Sequence, residues 1–565
     1  MGEWTWRRYK ISAELVAQTP LHIGSGREMS LKIDEDSGQE TRLEDEEEKI
    51  KVVKVQGVAK DAAGRPYLPG STLKGCLREL AEKWRLSKEI RDQLLGCPPP
   101  EREGATPGQE DKDPGWGGRL VFAAAFLKEA SPTPPLFQSE NPPLWWDGER
   151  FTYVMAGVAL DRVTRTARRH KLFHYEVVPK GSRFWMEICT DGPSDRELGT
   201  FLAFLEAIRK SSLVLGGHWA QGFGRLHLGE IKVHGIRTEE EARQWLAGPA
   251  AGFEGLPELS PETLEALPAG EWVRPDEVSE KLELEVVLQF EGPFLINDPT
   301  RPTRSAGEGE GAAHHYLEST DGAILLSSSS FRGALRSQAE RIARTMAPAG
   351  ARRNGGATSS RRLRPPCYID DPQLACKPVT RMTAVPEREG EEKKEEEGTR
   401  DAVENLCLTC RLFGASGWRS PLEIPDFFPL EEGEELEQEL VAIDRFTGGA
   451  APGKKFNARY RFKPCLKGRI GIDLARIDAG HAGLLVLGMR DLIEGDIQFG
   501  LGRGKGFGAC TARITAVGLP DKWPVWLERG WIPEDVSELS DLSRFRTAQQ
   551  MALGCLVECL QEGFQ

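Results

Sequence analysis

GGHWAQGFGRLHLGEIKV (216–233) and FGLGRGKGFGACTARITAV (499–517) read as one stretch written twice. Each is a glycine-rich loop running into a final strand. Upstream of each lies one short signature, GVALDRVT (157–164) and VAIDRFTGG (441–449). Asp161 precedes Gly222 by 61 residues, and Asp444 precedes Gly506 by 62. Further out, YLPGSTLKGCLREL (67–80) matches ILLSSSSFRGALRS (324–337), and LHIGSG (21–26) matches FLIND (294–298). These elements recur in one order at a period above 200 residues. Such a period marks tandem domains, not short solenoid units.

Each repeat opens with an alternating strand, clearest in KLELEVVLQFEG (281–292), and then turns into a helix. In the first copy Ser71 is expected to cap that helix and Leu73, Leu77 and Leu80 to form its apolar stripe; in the second a serine run caps, with Phe331, Leu335 and Ala339 on the stripe. A second helix is expected around 201–212 and 483–494, before the glycine loops. Strand, helix, strands, helix, strand is the ferredoxin-like (RRM-like) plan, so the fold class expected is α+β with two such modules and large loop insertions. The divisions are 1–235, a linker at 236–280 with one or two short helices, 281–518, and a tail at 519–565 with a helix near 546–561.

A chain of 565 residues exceeds one core. At 39% hydrophobic and 28% charged it has the composition of a soluble globular protein, without an apolar run for a membrane span. Eleven cysteines and an N-terminus without a signal-peptide core point to the reducing cytoplasm. The net charge of −13 is segregated: acidic runs sit at 44–48, 389–397 and 431–439, basic runs at 162–171 and 352–364. Local basic surface, not the sum, decides anion binding.

Two signals point to phosphate. In the loop at 500–508, glycines let backbone N–H groups converge on an anion, and Arg503 and Lys505 add charge. The first copy has Ala220 and Gln221 there, so its grip should be weaker. A helix N-terminus with Ser71 and Lys74, or Ser330 and Arg332, is an anion site, and Arg78 and Arg336 recur one turn later.

Together LHIGSG, YLPGSTLKG, the DRVT hairpin and the terminal glycine loop resemble the RAMP superfamily of CRISPR proteins, and within it the backbone subunits of type III effector complexes. Residues 407–427 (CLTCRLFGASGWRSPLEIPDF) and IDRFTGG are also similar to that family. Two modules in one chain look like the fused subunits of III-D-like systems. The resemblance implies a subunit that holds CRISPR RNA by its backbone, pairs it with target RNA, and assembles with other RAMP and large subunits. It implies a β-hairpin thumb in each module, matching 159–173 and 442–456. Gly24, Arg162, Arg165, Arg168 and Arg445 then join the candidate RNA contacts. Contacts to phosphate carry no sequence information, as a variable guide requires.

The resemblance also implies an endoribonuclease aspartate in the loop after the first strand, working with Mg²⁺ or another divalent ion. Asp298 lies there in the second module, with His314 and His315 later in the loop; Asp34, Asp36 and Asp45 occupy that loop in the first. Two other readings stay open: a scaffold of the same complex that does not cut, and a guide-processing ribonuclease using His314 or His315 without metal. Finally, Cys407 and Cys410 form a C-x-x-C, with Cys367 and Cys376 upstream, a ligand set for structural Zn²⁺ in which Cys465 or His314 is the alternative to one upstream cysteine.

Overall fold

The computed structural model describes residues 7–34, 50–97, 116–128, 131–139, 143, 145–161, 167–248, 255–270, 281–298, 300, 314–346, 376, 406–415 and 417–518. Asp36, Asp45, Arg162, Arg165, Cys367 and the expected tail helix lie outside the described residues.

In the first module, β1 (Arg8–Ala17) is the sheet's central strand. Tyr9, Ile11, Ala13, Leu15 and Ala17 all point inward and are at most 1% exposed, the period of two that a half-buried strand requires. The chain continues through β2 (Gly24–Asp34), β3 (Ile50–Val58), β4 (Tyr67–Leu68), α1 (Gly70–Lys83), α2 (Lys88–Leu95), β5 (Leu120–Phe122) and β6 (Ala125–Leu127). It then forms β7 (Trp146–Asp147), β8 (Thr152–Leu160), β9 (Ala167–Val177), β10 (Arg183–Asp191), α3 (Asp195–Lys210), β11 (Leu213–Val214), β12 (Arg225–Leu228) and β13 (Lys232–Ile236). β10 lies antiparallel on one side of β1, with β5 and β6 beyond it. β12 and β13 pair antiparallel on the other side. Leu73 and Leu77 of α1 and Phe201, Phe204 and Leu205 of α3 pack into the core of this sheet. Ser194 and Glu197 close a capping box at the start of α3. A second sheet, β2-β3-β9-β8-β7, carries the hairpin.

Two short helices, α4 (Glu239–Ala247) and α5 (Pro261–Glu265), fall in the expected linker. The second module then repeats the plan with β14 (Lys281–Phe290), β15 (Pro293–Phe294), β16 (His314–His315), α6 (Ser328–Met346), α7 (Leu408–Phe413), β17 (Leu422–Glu423) and β18 (Phe428–Glu431). β19 (Glu434–Ile443), β20 (Ala450–Phe462), β21 (Cys465–Asp473), α8 (Ala479–Ile493) and β22 (Cys510–Gly518) complete it. β14 lies antiparallel between β21 and β22, with β17 and β18 on the far side of β21. Both central sheets therefore share one order: last strand, first strand, post-hairpin strand, short edge strands. β19 and β20 form the second hairpin.

The helix caps differ from expectation. Pro69, not Ser71, holds the N-cap of α1, with no side-chain cap; Ser71 is exposed inside the first turn. Gly70 there lies so close to the Phe122 carbonyl that no larger residue fits. At α6 the Ser328 N–H donates to Asp426 Oδ1 at 2.7 Å, so an internal carboxylate fills the N-terminal anion position.

Candidate nucleic-acid interface

The two glycine loops share one hydrogen-bond scheme. The Leu215 and Phe499 N–H groups donate to the carbonyls of Gly224 and Gly508 at 2.9 and 3.0 Å. Gly217 and Leu501 donate to His22 and Leu295 at 2.8 and 2.7 Å; Gly224 and Gly508 donate to Pro20 and Pro293 at 2.9 and 2.8 Å. Each loop turns through a short 3₁₀ segment, 219–221 or 503–505, between two left-handed residues. The left-handed position before the segment is His218 in one copy and Gly502 in the other. In the second loop the N–H groups of Lys505, Gly506, Phe507 and Gly508 all donate to carbonyls of the chain. The glycines therefore make the turn, and these N–H groups are not gathered around an anion. Charge in this loop comes from the side chains.

The loops differ in what covers them. The first lies under the second module. Ile424 N–H donates to the Ala220 carbonyl at 3.2 Å, and a Cβ on Gly222 would stand 2.7 Å from Pro425 Cα. Arg225 pairs with Glu423, and the Arg419 guanidinium lies 3.6 Å from the centroid of the Trp219 ring. In the second loop Lys505 is exposed, and a Cβ on Gly506 would meet nothing within 4 Å. Lys505 Nζ sits 4.8 Å above the Phe456 ring, and His314 meets that ring edge-on at 5.4 Å. Burial, then the Lys505 charge, holds His314 below the ordinary imidazole range. His314 Nδ1 lies 3.0 Å from Asn297 Oδ1, and His315 Nε2 lies 3.5 Å from Arg459. The glycine loop, β20 and the post-strand loop thus converge on one aromatic surface that carries Lys505 and an Arg459 paired with Glu435.

Above this surface stands the β19–β20 hairpin. Asp444 fixes its tip, accepting from Phe446 N, Thr447 N and Thr447 Oγ1 at 3.0, 2.7 and 3.0 Å. This Asx-type turn explains the Asp and Thr of the signature. It presents Arg445 and a Phe446 side chain 98% exposed, with Val441 and Ile443 at 45% and 58% below it. The first hairpin likewise exposes Val158, Leu160, Leu172 and Phe173. Exposed apolar residues grouped on a projecting hairpin mark a contact surface. Phe446 escaped the sequence reading, which looked for cations; its place between Arg445 and Thr447 in a turn was the available signal. Arg168 lies in β9, its side chain outside the described residues.

The helix arginines are held internally. Arg332 donates to the carbonyls of Leu422, at 3.2 Å, and Phe413; burial lowers its pKa to about 10. Arg336 donates to the Gly414 carbonyl at 3.0 Å and pairs with Glu340 at 3.1 Å. Arg78 bonds the Gly96 carbonyl at 2.5 Å and Asp92 at 3.4 Å. All three clamp α2 or α7 against the first helix, which removes them from the surface expected to meet phosphate. Ser330 shares a 2.9 Å hydroxyl contact with Ser327. Lys74 is half-buried on α1, and Gly24 is exposed at the start of β2.

Asp298 is 7% exposed and accepts from Thr300 N and Oγ1 at 2.9 and 2.7 Å. Among the described residues Asp298 belongs to no group of three or more His, Cys, Asp or Glu side chains at metal-binding distance. Asp34 ends β2, its side chain outside the described residues. Cys376, Cys407 and Cys410 do converge, their sulfurs within 4.8 Å of one another. Cys407 caps α7, accepting from Cys410 N at 3.4 Å. Among the described residues no helix is long and apolar enough to cross a membrane.

No curated protein matches the chain by sequence. The sequence profile of the RAMP superfamily matches it twice, over residues 14–227 and 288–511. Each match begins inside a module's first strand and ends in the strand that follows its glycine loop, so the repeat, the shared sheet order and the profile agree. With well over half of its residues matched, the chain belongs to the RAMP superfamily.

Proposed function

We propose that this protein is a guide-RNA-holding backbone subunit of a type III CRISPR effector complex, built from two fused ferredoxin-like RAMP modules. Superfamily members are generally CRISPR-associated and bind RNA. The observation that carries the finer reading is the surface of the second module, where Lys505, His314, Phe456 and Arg459 meet below a hairpin tipped by Arg445 and Phe446. Cations neutralise phosphate, and aromatic faces stack bases without regard to sequence. The sheet order of both modules supports the ferredoxin-like assignment. In the first module the equivalent loop is covered by protein, so the RNA contacts there fall to its hairpin, Lys74 and Gly24.

Target cleavage at Asp298 needs metal ligands beyond this chain's described residues, such as RNA phosphates. The converged cysteines support a structural Zn²⁺ site with Cys367 as the fourth ligand. Arg336 Nη2 faces Cys410 Sγ at 3.1 Å, where Arg78 faces Asp92 in the first module. The thiol thus stands in a carboxylate's place before a guanidinium, which favours the thiolate that zinc binds. The test of RNA holding is a salt titration of guide binding. Arg503→Ala with Lys505→Ala is expected to weaken binding and reduce the salt slope by about two. An unchanged slope and affinity would overturn the assignment of this loop.

A further inference from the structure

The segment that follows the first module folds back over that module. Gly235 N–H donates to the Pro257 carbonyl at 2.9 Å and Leu259 N–H to the Val233 carbonyl at 2.8 Å, which pins the segment to β13. Ser260 then caps α5, and Leu264 and Leu267 pack on the first core. Next the chain turns into a notch between α2 and α3. Gly270 N–H donates to Thr200 Oγ1 at 2.7 Å, and a Cβ on Gly270 would stand 3.1 Å from Ile90 Cδ1. A Cβ on Gly199 would stand 2.5 Å from the Pro268 carbonyl oxygen, so only glycine admits the backbone there. The second module has the same notch with a more apolar lining. The helix caps Ser194 and Asp478 and the loop glycines Gly216 and Gly500 are both 284 residues apart, which sets α3 and α8 in register. Arg196, Gly199, Thr200 and Ala203 therefore correspond to Gly480, Gly483, Leu484 and Leu487. Counted back from the helix-ending Gly96 and Gly414, Ile90 corresponds to Leu408. From Ala479 to Met489 the only ionisable side chain on α8 is His481, and a helix apolar all round needs cover all round. α6 covers the Gly488 side, where a Cβ would stand 3.2 Å from Leu335 Cδ1. On the notch side Leu484 and Leu487 are 0% and 4% exposed. His481, one turn before Leu484, is fully buried, and its Nε2 has no partner among the described residues.

We infer that the chain's own residues 519–545, which follow β22, fold back into the notch between α7 and α8, as 255–270 fold back over the first module. The occupant is named by the sequence, because the duplication runs on past each module. Trp245-Leu246 begins nine residues after the end of β13, and Trp526-Leu527 begins eight after the end of β22. Glu258-Leu259-Ser260 starts 13 residues beyond Trp245, and Glu538-Leu539-Ser540 starts 12 beyond Trp526. Neither Trp-Leu nor Glu-Leu-Ser occurs elsewhere in the chain. Leu539, Leu542 and Phe545 then supply apolar side chains where the first segment has Leu259, Leu264 and Leu267. Gly480 and Gly483 leave room for backbone to approach α8, as Gly199 does on α3. The notch thus belongs to this chain's own tail. The inference goes beyond RNA holding and does not rest on it.

The full-length chain is its own probe. Trypsin cuts after Arg544 and Arg546, and under native conditions the rate follows the fraction of molecules in which the segment has left the notch. Alanine inside a helix ordinarily stabilises relative to glycine. Gly333→Ala on α6, where a Cβ meets nothing within 4 Å, is the control for that gain. Gly483→Ala should behave oppositely, because its methyl displaces the seated backbone. It is expected to melt at least about 3 °C below the unaltered chain and to be cut at Arg544 and Arg546 about tenfold faster. A Gly483→Ala chain that is cut at the unaltered rate, or that melts higher, overturns the inference. If Gly483→Ala does not fold, Leu539→Asp with Leu542→Asp decides the matter from the other side. Amide hydrogen exchange over 480–487 should then rise about tenfold while 196–203 keep their rate. Unaltered exchange over 480–487 in that variant overturns the inference as well. Neither readout involves RNA, so guide binding by the unaltered chain stands or fails separately.

Discussion

Asp426 is placed where a carboxylate is useful and costly at once. It accepts the first N–H of α6, and its charge is felt by Tyr153 and Tyr175 of the other module. Burial pushes its carboxyl up to about 6, against the opposing pull of the Ser328 N–H. For an acid raised from 3.8 the folded state holds the proton longer than the unfolded chain, so stability falls as pH rises from about 4 to about 6 and is level above. Asp426→Asn keeps an acceptor for Ser328 and removes the charge. It is expected to flatten that interval and to raise stability at pH 7.5 by about 2 kcal/mol, read from denaturant melts at pH 4 and 7.5. A variant with the same pH profile as the parent would show that Asp426 titrates normally. Nothing near Asp426 in sequence announces this role, because its partner Ser328 is 98 residues away. The helix arginines misled for the same reason. Arg332 and Arg336 at i, i+4 read as one exposed basic face. That face is covered by α7, which arrives more than 70 residues later. Asp444 was legible as part of a signature, and its hydrogen bonds show that the signature encodes a turn.

Among the elements, the strands were the most legible. β14 follows the alternation of KLELEVVLQF almost residue for residue, since its neighbours bury one face throughout. The six-residue α7 is too short to stand by its own hydrogen bonds. It is held by Arg336, by Trp418 Nε1 donating to the Arg411 carbonyl at 2.9 Å, and by the cysteine cluster. A bound Zn²⁺ would tie Cys376 to this helix across a long insertion. Purified protein is expected to carry one equivalent of zinc by elemental analysis. Cys407→Ser should lose the zinc and lower the melting temperature, an effect that zinc addition does not restore. Parent protein that carries no zinc as purified and melts at the same temperature as Cys407→Ser would remove the site from the account. The pair of upstream cysteines was readable only as a spacing, and the structure brings one of them, Cys376, to the C-x-x-C.

For the whole molecule, the duplication was plain in the sequence, whereas the way the copies meet was not. Loops 216–224 and 500–508 look alike as strings, yet one is a covered joint and the other exposes Lys505 and Gly506. What closes the joint is a charged cluster around Glu423. Desolvation alone would raise its carboxyl, but Lys281 at 2.8 Å and the contacting Arg225 bring it down to about 2. For a depressed acid the contribution is complete above the unfolded value of 4.5 and is lost as pH falls toward 2, so acid should loosen the joint before either core. Removing the charge at neutral pH should do the same, because Arg225 and Lys281 would then face each other without their anion. Each module has its own core, built around β1 and β14, so separation need not unfold either. Glu423→Gln is therefore expected to destabilise the first transition by about 2 kcal/mol and to split a single calorimetric peak into two. Arg225→Ala should split it likewise, and the double variant should cost less than the sum of the two singles, since both act on one pair. If Glu423→Gln melts in one step at the parent temperature, the modules are joined by other contacts, such as Pro425 against Gly222, and not by this cluster.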